Sequence, residues 1–116
     1  MNKEIHNKNN AYPIAFVDID ETICFYEGDR VYELAIPSQE NIQKVNKLYD
    51  EGWIITYWTA RGSSDVTNRE RMEEYRALTL KQLKEWGAKF HNLEVGDKKP
   101  LYDLVIDDKA KRIEEL

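Results

Sequence analysis

A single cysteine, Cys24, stands in the 116-residue sequence, so no internal disulfide can form and a reducing cytoplasm is the default location. Histidine is nearly as scarce, with only His6 and His91. A catalytic thiol wants an imidazole beside it, yet His6 falls in a polar opening stretch and Cys24 is flanked by Ile23 and Phe25. Those neighbours favour an inert, partly buried thiol. No apolar run approaches the length needed to cross a bilayer. The opening residues lack the apolar core of a secretory signal, and 1–11 read as a frayed polar tail. Positive charge is in deficit, 17 Lys+Arg against 22 Asp+Glu, for a formal net charge of −5. Such a chain is not steered toward nucleic acid or other polyanions, although a local basic pocket remains compatible with phosphate chemistry.

What is present describes one soluble globular domain over 1–116, with 41% hydrophobic and 34% charged residues. Residues 12–19 form an apolar run rich in β-formers, with Pro13 near its start, and predict a buried strand ending in Asp18-Ile19-Asp20. Aromatic and β-branched residues on both sides of Glu27-Gly28-Asp29-Arg30 predict a hairpin within 23–35. Ser38 is a candidate N-cap for a helix that presents Ile42, Val45, Leu48 and Tyr49 on one face and stops at Gly52. A second buried strand is predicted over 53–58, ending at Thr59-Ala60-Arg61-Gly62. Beyond it, Thr67-x-x-Glu70 and Thr79-x-x-Gln82 each match a capping box, so two helices are as compatible with the pattern as one, up to Trp86-Gly87. A short strand over 89–93, a turn at Lys98-Lys99-Pro100, a last strand over 102–106 and a closing helix from Lys109 complete the expected order. Strands alternating with helices imply a parallel sheet with helices on both faces and all strand C-termini along one edge.

The polar residues fall at that edge. Asp18 and Asp20 end the first strand, Thr59 and Arg61 the second, and Asp107 and Asp108 the last, while Lys98 and Lys99 precede the last strand. Carboxylates gathered in one crevice repel each other unless a hard cation intervenes, and magnesium takes such oxygen ligands together with a substrate phosphate. Two carboxylates two residues apart permit a division of labour between nucleophile and proton carrier. A hydroxyl, a lysine and an arginine would stabilise the transferring phosphoryl oxygens. Each piece alone has a plainer reading: Asp18-x-Asp20 as a polar turn, Thr59 as a cap, Lys99 as a solvated charge, Arg61 as a surface ion pair, and Asp107-Asp108 as a helix cap. His91 reads first as a satisfied structural histidine and second as a site residue. Trp53, Trp58, Tyr75 and Trp86 read as core rather than as a base-stacking platform.

The run Asp18-Ile19-Asp20-Glu21-Thr22 after an apolar strand resembles the D-x-D-x-T motif of the haloacid dehalogenase-like phosphohydrolases. Thr59, a lysine before the final strand and the Asp107-Asp108 pair match the second, third and fourth motifs of that superfamily, in order, between about Ala15 and Asp108. Trp58 to Gly62, Trp86 to His91 and Ile106 to Ala110 are similar to small capless members known as capsular-polysaccharide biosynthesis phosphatases. The resemblance implies a Rossmann-like three-layer α/β sandwich with a central parallel sheet, a flap hairpin after the first strand and no cap domain. It implies a magnesium-dependent phosphomonoester hydrolase acting on a sugar phosphate or related small metabolite. Asp18 would attack phosphorus and form an aspartyl-phosphate, and Asp20 would serve as acid and base. Thr59 with Lys99, or alternatively Lys98, would bind phosphate, and Arg61 would read the rest of the substrate. Magnesium would be held by Asp18, the Asp20 main-chain carbonyl, and either Asp107 or Asp108. With no cap, selection would fall to the flap, nearby loops or a neighbouring subunit of a homo-oligomer. A polynucleotide 3′-phosphatase is the alternative enzyme, disfavoured by the acidic balance. A receiver-like signalling domain has the same residue types in a different order, and a catalytically silent interaction module, the remaining alternative, would have no reason to retain the whole constellation.

Overall fold

A computed structural model describes residues 13–96, 104–106 and 113–116. The opening tail, Lys98, Lys99, Asp107, Asp108 and the start of the expected closing helix at Lys109 lie outside the described residues.

Strand β1 runs Ile14–Asp18 and is followed by a turn in which Thr22 and Ile23 both donate backbone hydrogen bonds to the Ile19 carbonyl. Strands β2 (Cys24–Phe25) and β3 (Ile36–Pro37) pair antiparallel, with Cys24 opposite Pro37. The predicted hairpin therefore exists, but its ladder is only two residues deep. The intervening flap is a long loop that carries a 3-10 turn at Tyr32–Leu34. Helix α1 spans Gln39–Asp50, and Ser38 caps it as its sequence position suggests, its side chain accepting from the Asn41 N–H. Strand β4 is Ile54–Thr59.

The stretch with two capping boxes forms one helix, α2, over Arg69–Glu85. Asn68 rather than Thr67 is its N-cap, accepting from the Arg71 N–H. Thr79 lies inside the helix, where its hydroxyl donates to the Tyr75 carbonyl. Strands β5 (Asn92–Val95) and β6 (Leu104–Ile106) follow, β5 starting three residues later than the pattern predicts. A 3-10 turn at Ile113–Glu115 ends the described chain.

The four long-range strands form one parallel sheet in the order β5-β4-β1-β6. Side chains alternate across a strand, and the register places Ala15 beside Ile55 and Val17 beside Tyr57 on a common face. That face, with Leu93 and Ile106, packs against Ile42 and Val45 of α1, Leu83 of α2 and Ile113 in one core. Helix α1 also holds the segment that follows α2. Asn46 donates to the Gly87 carbonyl and accepts from the Lys89 N–H, and Gln39 donates to the Trp86 carbonyl.

Both described helices thus cover the same face, where the sequence pattern predicts helices on both. The reason is topological. The β1-to-β4 and β4-to-β5 crossovers step in the same direction, and right-handed crossovers that do so lay their helices on one side. A second helical layer is not among the described residues. None of the described helices is long and apolar enough to cross a membrane.

Candidate active site

The C-terminal ends of the central strands β1 and β4 bring Asp18, Asp20, Thr59 and Arg61 to one sheet edge, as expected. Asp18 is half-buried and lines a cavity of about 150 Å3, together with Asp20, Trp58, Ala60, Arg61 and the flap residues Arg30 and Tyr32. Trp58, expected in the core, sits on the sheet face opposite the helices, 5.8 Å from Phe16 between ring centroids. Glu21, next to Asp20, takes a positive φ of 67°, a conformation costly for a side-chain-bearing residue and of the kind that collects at functional turns.

Asp20 is the centre of a dense polar cluster. Its Oδ1 accepts from Tyr26 Oη at 2.6 Å and from Arg61 Nη2 at 2.9 Å, and its Oδ2 from Thr59 Oγ1 at 2.7 Å. Arg61 Nε adds contacts at 3.2 and 3.3 Å, and Cys24 Sγ lies 3.6 Å from Oδ1. Burial by itself would push the carboxyl pKa up. The hydrogen bonds and charge of Arg61, joined by Tyr26 and Thr59, outweigh it and hold Asp20 below its ordinary value. Asp20 is therefore an anion at neutral pH.

Arg61 is 1% exposed, unusual for a guanidinium. It survives burial because all five of its N–H donors have acceptors. Nε and Nη2 reach Asp20, Nη2 also reaches Tyr26 Oη at 3.2 Å, and Nη1 reaches Thr79 Oγ1 at 3.1 Å and Gln82 Oε1 at 2.6 Å. One face of the guanidinium lies over the Tyr32 ring, 4.8 Å from its centroid. Gln82 closes the circuit by donating from Nε2 to the Tyr32 carbonyl at 2.7 Å. The flap, the β4 end and α2 are thus joined through one arginine.

Thr59 is fully buried, donates its only hydroxyl hydrogen to Asp20 and accepts from the Arg61 N–H at 3.1 Å. In this arrangement neither Thr59 nor Arg61 has a side-chain donor left over for a ligand. Gly62 follows with φ 79°, and a Cβ there would lie 2.6 Å from Tyr75 Cδ2, so only glycine lets this loop lie against α2.

Four residues of this cluster carried no site signal in the sequence: Tyr26 and Tyr32 read as flanks of a hairpin, Thr79 and Gln82 as a capping box. An i, i+3 polar pair serves either purpose, because that spacing places both side chains on one helix face. His91 takes the structural role. Its Nδ1 accepts from the Ile55 N–H at 3.0 Å and its ring stacks on Tyr49, at the end of β4 opposite Thr59. Cys24 is buried, and burial together with the Asp20 charge raises its thiol pKa to about 12.

Among the described residues, no three His, Cys, Asp or Glu side chains gather as a metal-binding group. Asp18 fits an oxygen-ligand site at the cavity. The Asp20 carboxylate, fully occupied by donors, does not, which leaves its main-chain carbonyl as the only ligand this residue could supply. The expected partners Lys98, Lys99, Asp107 and Asp108 are outside the described residues.

Neither a known family nor a curated protein matches the sequence. Among solved structures, the chain is similar to a crystal structure of a structural-genomics target from Vibrio cholerae. The two share 21% identity with a TM-score of 0.66, over 88% of this chain and 85% of the other. At that identity the likeness concerns the fold, and it supports the α/β architecture described above.

Proposed function

We propose that this chain is a cytoplasmic, magnesium-dependent phosphomonoesterase of the haloacid dehalogenase-like type, acting on a sugar phosphate or related small metabolite. The proposal includes the Rossmann-like three-layer sandwich of that type. The observation that carries it is the placement of Asp18, half-buried on a small polar cavity at the end of β1, with Asp20, Thr59 and Arg61 gathered beside it.

An Asp18 carboxylate oxygen bonds to phosphorus as the bond from phosphorus to the leaving oxygen breaks. Water then cleaves the acyl phosphate, restoring Asp18 and releasing inorganic phosphate. Asp18, the Asp20 main-chain carbonyl and one of Asp107 or Asp108 would hold magnesium, which offsets negative charge on the phosphoryl oxygens when bound.

Asp20 cannot deliver a proton while it is held as an anion. A phosphoryl group entering the cavity competes with Asp20 for the Arg61 donors and places negative charge nearby. Both effects raise the proton affinity of Asp20. The role of acid and then base thus belongs to the substrate-bound state, with Tyr26 Oη keeping the carboxylate oriented. Lys99, or Lys98, would supply the further positive charge.

The test is phosphate release from an aryl phosphate in the presence of magnesium. Asp18→Asn should abolish turnover while retaining the wild-type circular dichroism and unfolding midpoint. An Asp18→Asn protein that still turns over would remove Asp18 as the nucleophile.

A further inference from the structure

The cavity beside Asp18, at about 150 Å3, lies below the roughly 300–1,000 Å3 of sites that enclose a whole small molecule. It has room for a phosphoryl group and little else, so the remainder of any ester must lie outside it. A larger groove of about 550 Å3 adjoins it, between the flap and the outer side of α2. Arg30 and Tyr32 stand in the walls of both, which makes them the junction.

We propose that this groove is the leaving-group subsite, and that it selects an uncharged, polyhydroxylated group of about two sugar rings. The inference rests on the phosphomonoesterase reading and adds what the ester carries.

The charges decide the class. Arg30 and Arg71 are matched in the groove by Glu33 and Glu74, so it carries no net charge to attract a second phosphate or carboxylate. Guanidinium donors and carboxylate acceptors side by side suit hydroxyls, which do both. Tyr32 and Tyr75 meet edge to face at 6.1 Å and 77°, with Arg61 over one ring and Arg71 over the other, so the apolar surface offered to the C–H face of a sugar ring is the ring area left uncovered together with Leu78.

The groove arginines are also differently placed from Arg61. Arg30 and Arg71 are half-exposed, with carboxylate contacts of 3.7–4.0 Å to Glu21, Asp65 and Glu74, and Arg71 Nη2 also donates to Tyr75 Oη at 3.0 Å. Exposed pairs of that kind are weak, and ligand hydroxyls can replace them at little cost.

The experiment compares kcat/KM, with magnesium present, for an aryl phosphate, a disaccharide phosphate and a sugar bisphosphate. The disaccharide phosphate should lead the other two by at least about tenfold. Leu78→Trp, which fills the groove, should lower the ratio of disaccharide phosphate to aryl phosphate by at least about tenfold. Arg71→Ala, at a half-exposed position, should lower it in the same direction and serves if Leu78→Trp fails to fold. An unmoved ratio in a folded variant, or a bisphosphate used as well as the disaccharide phosphate, overturns the proposal. If no ester is cleaved, the hydrolase reading fails, and the groove is judged by amide NMR shifts on adding the disaccharide phosphate. Shifts confined to 30–33 and 71–78 would retain the subsite, and their absence would remove it.

Discussion

Replacing Arg61 by methionine removes the guanidinium but keeps much of the side-chain volume. The effect can be worked from the burial of the pair, since Arg61 is 1% and Asp20 8% exposed. Removing one partner of a buried ion pair leaves the other charge uncompensated, at a cost of about 3–5 kcal/mol. Against a total stability of about 5–15 kcal/mol for a domain of ordinary size, that is at least about a fifth of the whole. Urea unfolding at pH 7 should show this loss as a lower midpoint with an unchanged slope. Asp20→Asn in the Arg61→Met background should recover about 1–3 kcal/mol, because the orphaned charge is then gone.

The pH dependence has a definite sign. In the wild type, Asp20 has a folded pKa below its unfolded value, about 3.9, so its contribution is complete above that pH. It is lost as pH falls through the lowered folded value. Without Arg61, burial raises the folded pKa instead, and protonation relieves the variant as pH falls. The stability gap between wild type and Arg61→Met should therefore begin to narrow above about pH 4, where the variant takes up its proton, and narrow further below it as the wild type loses its contribution. A loss under about 1 kcal/mol at pH 7, or strict additivity with Asp20→Asn, would refute the buried pair as the organiser of this site.

Cys24, with its thiol at about pH 12, should react with a disulfide reagent at pH 8 only as fast as the protein opens. Rapid stoichiometric labelling would contradict its burial. Tyr57 Oη is buried without a hydrogen-bond partner among the described residues. Tyr57→Phe should accordingly raise stability by about 1 kcal/mol in urea unfolding, and a loss of that size would reveal a partner. Gly62→Ala combines a left-handed φ with a 2.6 Å approach to Tyr75. It should cost more than about 1 kcal/mol, with a neutral result showing that the loop moves freely off α2.

Local signals were the most readable part of the sequence. Ser38 caps α1 because an N-cap needs only its own side chain and the N–H three residues on. The apolar runs of β1 and β4 follow from burial on a sheet face. Choices between neighbours were not legible: Thr67 and Asn68 are both good caps, and Asn68 is the one whose side chain accepts from the N–H three residues on. The site was readable at the strand ends and not beyond them. Tyr26, Tyr32, Thr79 and Gln82 reach Arg61 across 18 to 35 residues of chain. No local pattern distinguishes such side chains from turn and cap residues. Burial of Arg61 was not legible either, because its plain reading was a surface ion pair and a buried guanidinium is rare unless acceptors surround it.

Strand β1, which carries Asp18, has β4 on one side and β6 on the other, pairing Ala15 with Ile55 and with Leu104. Those partners lie some 40 and 89 positions further along the chain. During synthesis β1 therefore emerges well before its second neighbour, which follows 89 positions later. Long-range parallel pairing of this kind slows folding, because chain closure must precede the contacts that reward it. Until β6 arrives, one edge of β1 presents unpaired backbone next to apolar side chains, a surface open to wrong pairing with other chains. Completion of the sheet and assembly of the Asp18 edge thus form a single event that waits for β6, and a chain cut before residue 104 would be prone to aggregate.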